Sequence, residues 1–138
     1  MKEEKDELME LEPYGAMKLD RIDEMPPLIS LISSMLKDVI VSKANNIVLE
    51  FDSLNDKCNS IISNDDNVQR IEEIPSRLWS PICNRIMILS GLKITKKKEE
   101  TQHGVIKLIY GGENYEAIVK VTPKDEFGPI VSISIIRG

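Results

Sequence analysis

Apolar residues in this chain follow two different periods, and a fold must satisfy both. From Leu28 to Ile40 they fall at Leu28, Leu31, Ile32, Met35, Leu36, Val39 and Ile40, the spacing of one helix face, with Ser30, Ser33, Ser34, Lys37 and Asp38 opposite. In the last third they alternate instead. Tyr115, Ala117, Val119 and Val121 share one strand face, and Val131, Ile133 and Ile135 alternate with Ser132 and Ser134. A chain that carries both patterns must pack helices on strands.

The punctuation between these runs supports the division. Pro26-Pro27 suits a first helical turn, where the missing N–H has no partner to lose, and Asp23 and Glu24 upstream favour a helix start. Ala44-Asn45-Asn46 ends that helix near Lys43 and leads into a short strand, Ile47 to Phe51. Residues 52–67, rich in Asp and Asn, hold a poor strand at Cys58–Ser63 and a turn at Asn64-Asp65-Asp66-Asn67. Val68 to Ile74 returns, with Val68, Arg70, Glu72 and Ile74 on one side. A second helix opens at Pro75-Ser76, or at Ser80 as its cap because Pro81 follows, and carries Leu78, Ile82, Ile86 and Leu89 to a stop at Gly91. Val105 to Tyr110 meets Gly111-Gly112, a two-residue hairpin signal. The expected fold is α+β: an antiparallel twisted sheet with two helices packed on one face.

Length and charge set the domain plan. The chain has 138 residues, enough for one domain. Its hydrophobic fraction is 41% but its aromatic fraction only 4%, so the core must be aliphatic. The net charge is −5, of which residues 1–12 carry −4 from six acidic and two basic groups. Residues 1–25 are therefore expected to be an acidic N-terminal extension, a frayed tail or a short docking helix built on Leu8, Met9 and Leu11. Residues 26–138 are expected to be the domain. With 16 basic and 17 acidic groups, residues 13–138 lack the basic footprint that nucleic-acid binding needs. The stretch from Leu28 to Val41 is too polar for membrane insertion, and the N-terminus has no apolar leader, so the expected location is cytoplasmic.

Catalytic and ligand chemistry is hard to find. Gly111-Gly112 is followed by no Gly-Lys-Ser/Thr, so no phosphate loop exists, and no G-x-G-x-x-G occurs. His103 is the only histidine and reads as a loop residue before Gly104, with no spacing to carboxylates or cysteines that suggests a metal. Asp65-Asp66 lacks the glycine and glutamate of a calcium loop. Cys58 and Cys83 read as ordinary reduced thiols. No catalytic residue, no metal site and no cofactor is expected. Lys93, Lys96, Lys97 and Lys98 make the only basic cluster, diluted by Glu99 and Glu100, and Lys96, Lys97 and Lys98 are a candidate partner contact.

The run from Met25 to Gly138 resembles the domain that precedes the motor in type II secretion and type IV pilus assembly ATPases. Pro27-Leu28-Ile29 stands where that family opens its first helix, and Ala44 to Phe51 where it has A-S-D-I-H-I-E-P. Asn64-Asp65-Asp66 falls at the family's R-I-D-G turn, and Arg85-Ile86-Met87 at its R-I-K. Gln102-His103-Gly104-Val105-Ile106 takes the place of Q-D-G-R-I, Gly111-Gly112 that of a G-G turn, and Phe127-Gly128-Pro129 that of F-G-E. The resemblance implies a protein-interaction role. The family's nucleotide-facing arginines correspond here to Val105, Val119 and Ile130, and its Asp and His to Asn46 and Val48. Glu50 and Arg85 remain as a single ion pair. The implied function is a non-catalytic interaction domain, its partner a secretion or pilus ATPase or a second copy in a homo-oligomer, with Ile130 at the interface. A nucleotide-sensing module, or a fragment of a longer secretion ATPase, is the alternative.

Overall fold

The structure of the protein, a computed structural model, describes residues 16–65, 67–92 and 100–138. Strand β1 (Met17–Lys18) and a 3-10 helix (Leu19–Glu24) precede helix α1 (Pro27–Val41). Strands β2 (Asn46–Asp52), β3 (Lys57–Asn64) and β4 (Asn67–Ile74) follow, then a 3-10 turn (Ser76–Leu78) and helix α2 (Trp79–Leu89). Strands β5 (Gln102–Tyr110), β6 (Glu113–Asp125) and β7 (Gly128–Arg137) complete the chain. They form one sheet in the order β1-β5-β6-β7-β2-β3-β4. The layout is a helix followed by a three-strand meander, twice over. The two meanders join where β2 pairs antiparallel with β7. The fold is α+β with both helices on one face, as expected, but the sheet is mixed, because β1 joins β5 in parallel.

Both helices end by the same device. Lys43 (φ 60°) and Gly91 (φ 80°) turn left-handed one residue past the cap. The amides of Ala44 and Leu92 then donate back to the carbonyls of Val39 and Met87 at 3.0 and 2.7 Å. Gly91 is the stop that the sequence announced. At the other end of α2 the chain turns helical from Ser76, right after Pro75, and the alternative start at Ser80 fails: the α-helix's cap position is Leu78, with no side-chain cap bond, and Ser80 lies within the first turn. The 3-10 turn at Ser76–Leu78 already delivers the chain in helical geometry, leaving Ser80 no terminus to cap. Gly111 (φ 59°) and Gly112 (φ 77°) form the tight β5–β6 hairpin in the left-handed region where only glycine is unstrained.

Core side chains all rise from the covered face. Ile32, Leu36 and Val39 of α1 and Ile82, Ile86 and Leu89 of α2 meet Ile47, Leu49, Val119, Val131 and Ile133 from the central strands. Ile32, Leu36 and Val39 of the expected α1 face are buried, Leu31 and Met35 only border the core, and Ile29 is buried besides, which turns the α1 stripe slightly around its axis. At Gly104 the end of α2 sits tight against the sheet: a Cβ there would stand 2.4 Å from the Ser90 carbonyl oxygen. The covered-face partner of Gly104 in β6 is Val119.

Of residues 17–25, expected in the N-terminal extension, Leu19 enters this core and Met17 and Met25 pack against it. Leu19 is fully buried, and the Gly111 amide donates to the Asp20 carboxylate at 3.1 Å, tying the 3-10 helix to the hairpin. A lone leucine between charged residues has no periodicity to betray it. The candidates Leu8, Met9 and Leu11, and the lysines at 96, 97 and 98, lie outside the described residues.

Candidate interaction surface

Among the described residues, no element covers the face of the sheet away from the helices. Cross-strand register sets its rows. Ile71, Ile61, Val48, Ser132, Lys120 and His103 stand side by side in one. Val68, Ser63, Asn46, Ser134, Ile118 and Val105 make the next. β-Branched residues therefore stand on both sides of the middle serines in the second row, and on the β2–β4 side alone in the first, where Lys120 and His103 take the other. Where Ser132 and Ser134 are too short to fill the surface, a shallow depression of 650 Å³ opens, bordered by Asn46, Lys120, Ile118 and Ile136.

Two corrections follow from this register. His103 is a strand residue of β5, paired with Lys120 on the open face, and not a loop histidine. Alternation extends β5 three residues before Val105, through a glycine that helix packing requires. Val68 does not share a side with Arg70, Glu72 and Ile74. A bulge between Ile62 and Ser63 in the β3–β4 pairing shifts the register, so Val68 stands opposite Ser63 and emerges on the open face with Ile71.

The three positions singled out by resemblance part company. Val119 is fully buried beneath the helices. Val105 is on the open face, 37% exposed. Ile130 is on that face as well, at the end of β7, half-buried and opposite Thr122. Glu50, which follows the Leu49–Val131 pair, lies beside it. Its carboxylate approaches the Lys124 ammonium to 3.6 Å, and Lys124 also donates to the Phe51 carbonyl at 2.9 Å. Lys124 on β6 is thus the cation beside Glu50; Arg85 belongs to α2, on the covered side. Nothing in the sequence announced the Glu50–Lys124 contact, which joins residues 74 positions apart.

Behind Ile130, on the covered side, three of the few aromatic residues lock together. The Phe51 and Phe127 rings stack with centroids 5.5 Å apart, and the Trp79 indole N–H donates to the Phe127 carbonyl at 3.1 Å. Next to them is a cleft of 320 Å³ lined by Cys83, Met87, Val121, Pro123 and Pro129, with Glu100 and Gln102 at its border. Burial pushes the Cys83 thiol up to about 12 and Cys58 up to about 11, so neither is a nucleophile near neutral pH. Among the described residues no group of three or more His, Cys, Asp or Glu side chains is placed to hold a metal. Nor is any described helix long and apolar enough to cross a membrane.

No protein-family model matches the chain, and no curated protein matches it.

Proposed function

We propose that this is a non-catalytic protein-interaction domain, related to the pre-motor domain of type II secretion and type IV pilus assembly ATPases, and that its open sheet face is the contact surface. The observation that carries the reading is the layout of that face. β-Branched side chains at Val48, Ile61, Val105, Ile118 and Ile136 stand on it, Ile118 and Ile136 bordering a depression otherwise lined by polar groups such as Asn46, His103, Lys120 and Ser132, and no described element covers them. A water-facing sheet normally alternates to polar residues, and apolar groups retained there mark a contact. Ile130 stands at one end of this face beside the Glu50–Lys124 pair, an apolar anchor next to a charged rim.

The order of helix, turn and strand motifs supports the family relation, and an assembly ATPase of a pilus or secretion system is the partner this reading names. The test immobilises such an ATPase and measures binding of the domain. Ile130→Glu is expected to weaken binding by about 10- to 100-fold, since burying an unpaired carboxylate in an apolar contact costs about 1–3 kcal/mol or more. The circular-dichroism melt stays that of the parent, because Ile130 faces away from the core. Equal binding by parent and variant, or unfolding of the variant, would end the proposal. The nucleotide-sensing alternative differs in one reading: it requires heat on titration with ATP and magnesium, and the interaction reading requires none.

A further inference from the structure

We infer that β4 is a self-association edge, through which two copies of this chain join their sheets antiparallel about a two-fold axis at Ile71. β4 is the last strand in the sheet order, and among the described residues no strand lies on its outer side. It is eight residues long and exposed at every position but Ile74. Two of its exposed residues are large and apolar, Val68 at 57% and Ile71 at 61%. A strand of this length, with one row of backbone N–H and C=O groups unmatched, is a template for another strand.

The charges on β4 say which strand fits. Arg70 and Glu72 flank Ile71 and point to the covered side, where Arg70 also comes within 3.8 Å of Asp38 of α1. Within one chain their side chains meet at 2.9 Å. In an antiparallel pair, residues directly opposite share a face, so a symmetric pairing must centre on a residue. Centred on Arg70, it sets guanidinium against guanidinium. Centred on Glu72, it sets carboxylate against carboxylate. Centred on Ile71, it sets each Arg70 against the other copy's Glu72, twice, and brings the two Ile71 side chains together on the open face.

Charged residues on an edge strand usually repel neighbours. Here they reject the two adjacent registers and favour the one between, which is specificity by charge pattern. The occupant is therefore a second copy, because the pattern complements itself. The inference is independent of the open-face proposal, since it uses the strand edge and none of the residues around Ile130.

Sedimentation velocity and light scattering across a concentration series test it. The parent is expected to pass from 15.6 kDa to twice that mass as concentration rises. Arg70→Glu places four carboxylates around the axis, and Glu72→Arg four cations. Each is expected to weaken dimerisation by about tenfold or more. The melting curves stay unchanged, because both side chains are about half exposed, 49% and 48%. Mixing the two variants restores a dimer, since the carboxylates at positions 70 and 72 of one chain then meet the guanidinium groups at positions 72 and 70 of the other. The double variant carrying both changes in one chain also dimerises. A parent that keeps the mass of one chain at the highest concentration overturns the inference. So do single variants that dimerise like the parent, or a mixture and a double variant that both stay monomeric.

Discussion

The two cysteines show how placement, and not residue type, sets chemistry. Cys58 is fully buried on β3, and Cys83 is 5% exposed on α2. Desolvation is the main cause that raises both thiols, from 9.0 to about 11 and about 12, with Cys58 adding to the rise at Cys83. The folded state therefore holds these protons more tightly than the unfolded chain does. Their contribution to stability is complete below pH 9 and is lost as the pH climbs through 11 and 12, because the unfolded state gains by ionising first. Urea titrations are expected to show the parent's midpoint falling more steeply from about pH 9 to 11 than that of a Cys58→Ala/Cys83→Ala variant. At about pH 8, iodoacetamide is expected to label the native protein far more slowly than the urea-unfolded one. Parallel midpoints, or fast native labelling, would show that the thiols are solvated.

At the scale of the element, α2 separates two kinds of helix determinant. Its apolar stripe was legible because the period repeats: Ile82, Ile86 and Leu89 are buried as spaced. Its start was legible only as two alternatives, Pro75-Ser76 or Ser80, because the 3-10 turn that decides between them depends on the packing of Trp79, whose indole is held by Phe127 48 residues later. Ile82→Ala is expected to cost about 2–5 kcal/mol, the range for emptying a fully buried aliphatic site. Ser80→Ala is expected to change stability by less than about 0.5 kcal/mol, since Ser80 is exposed and caps nothing. A loss near 1 kcal/mol or more at Ser80, about the worth of a cap, would restore it as the helix start.

In the whole molecule, the sheet seals its two ends differently. At the β5 end, β1 and the 3-10 helix fold over the edge, and Leu19 enters the core while Asp20 holds the hairpin. At the β4 end no described element does so. The region 17–24 thus belongs to the stability of the domain. Leu19→Ala is expected to lower the unfolding free energy by about 2–5 kcal/mol, as for any fully buried leucine. A change under about 0.5 kcal/mol would return this stretch to the status of an appendage.

What the amino-acid sequence determined by itself is everything that repeats locally. Helical spacing from Leu28 to Ile40 and at Ile82, Ile86 and Leu89, alternation at Val131, Ile133 and Ile135, and glycines at 91, 111 and 112 specify two helices, a hairpin and the α+β class. These signals are legible because each reflects the geometry of one segment. Strand facing followed too: alternation placed Val119 in the core with Ala117 and Val121, and Ile130 on the face opposite Val131. The tertiary structure alone decided the rest. The parallel β1–β5 pairing, the burial of Leu19, the Glu50–Lys124 contact and the bulge that turns Val68 onto the open face all join segments that share no local pattern. Their energies arise only once distant strands are brought into register, so no single stretch of sequence contains them.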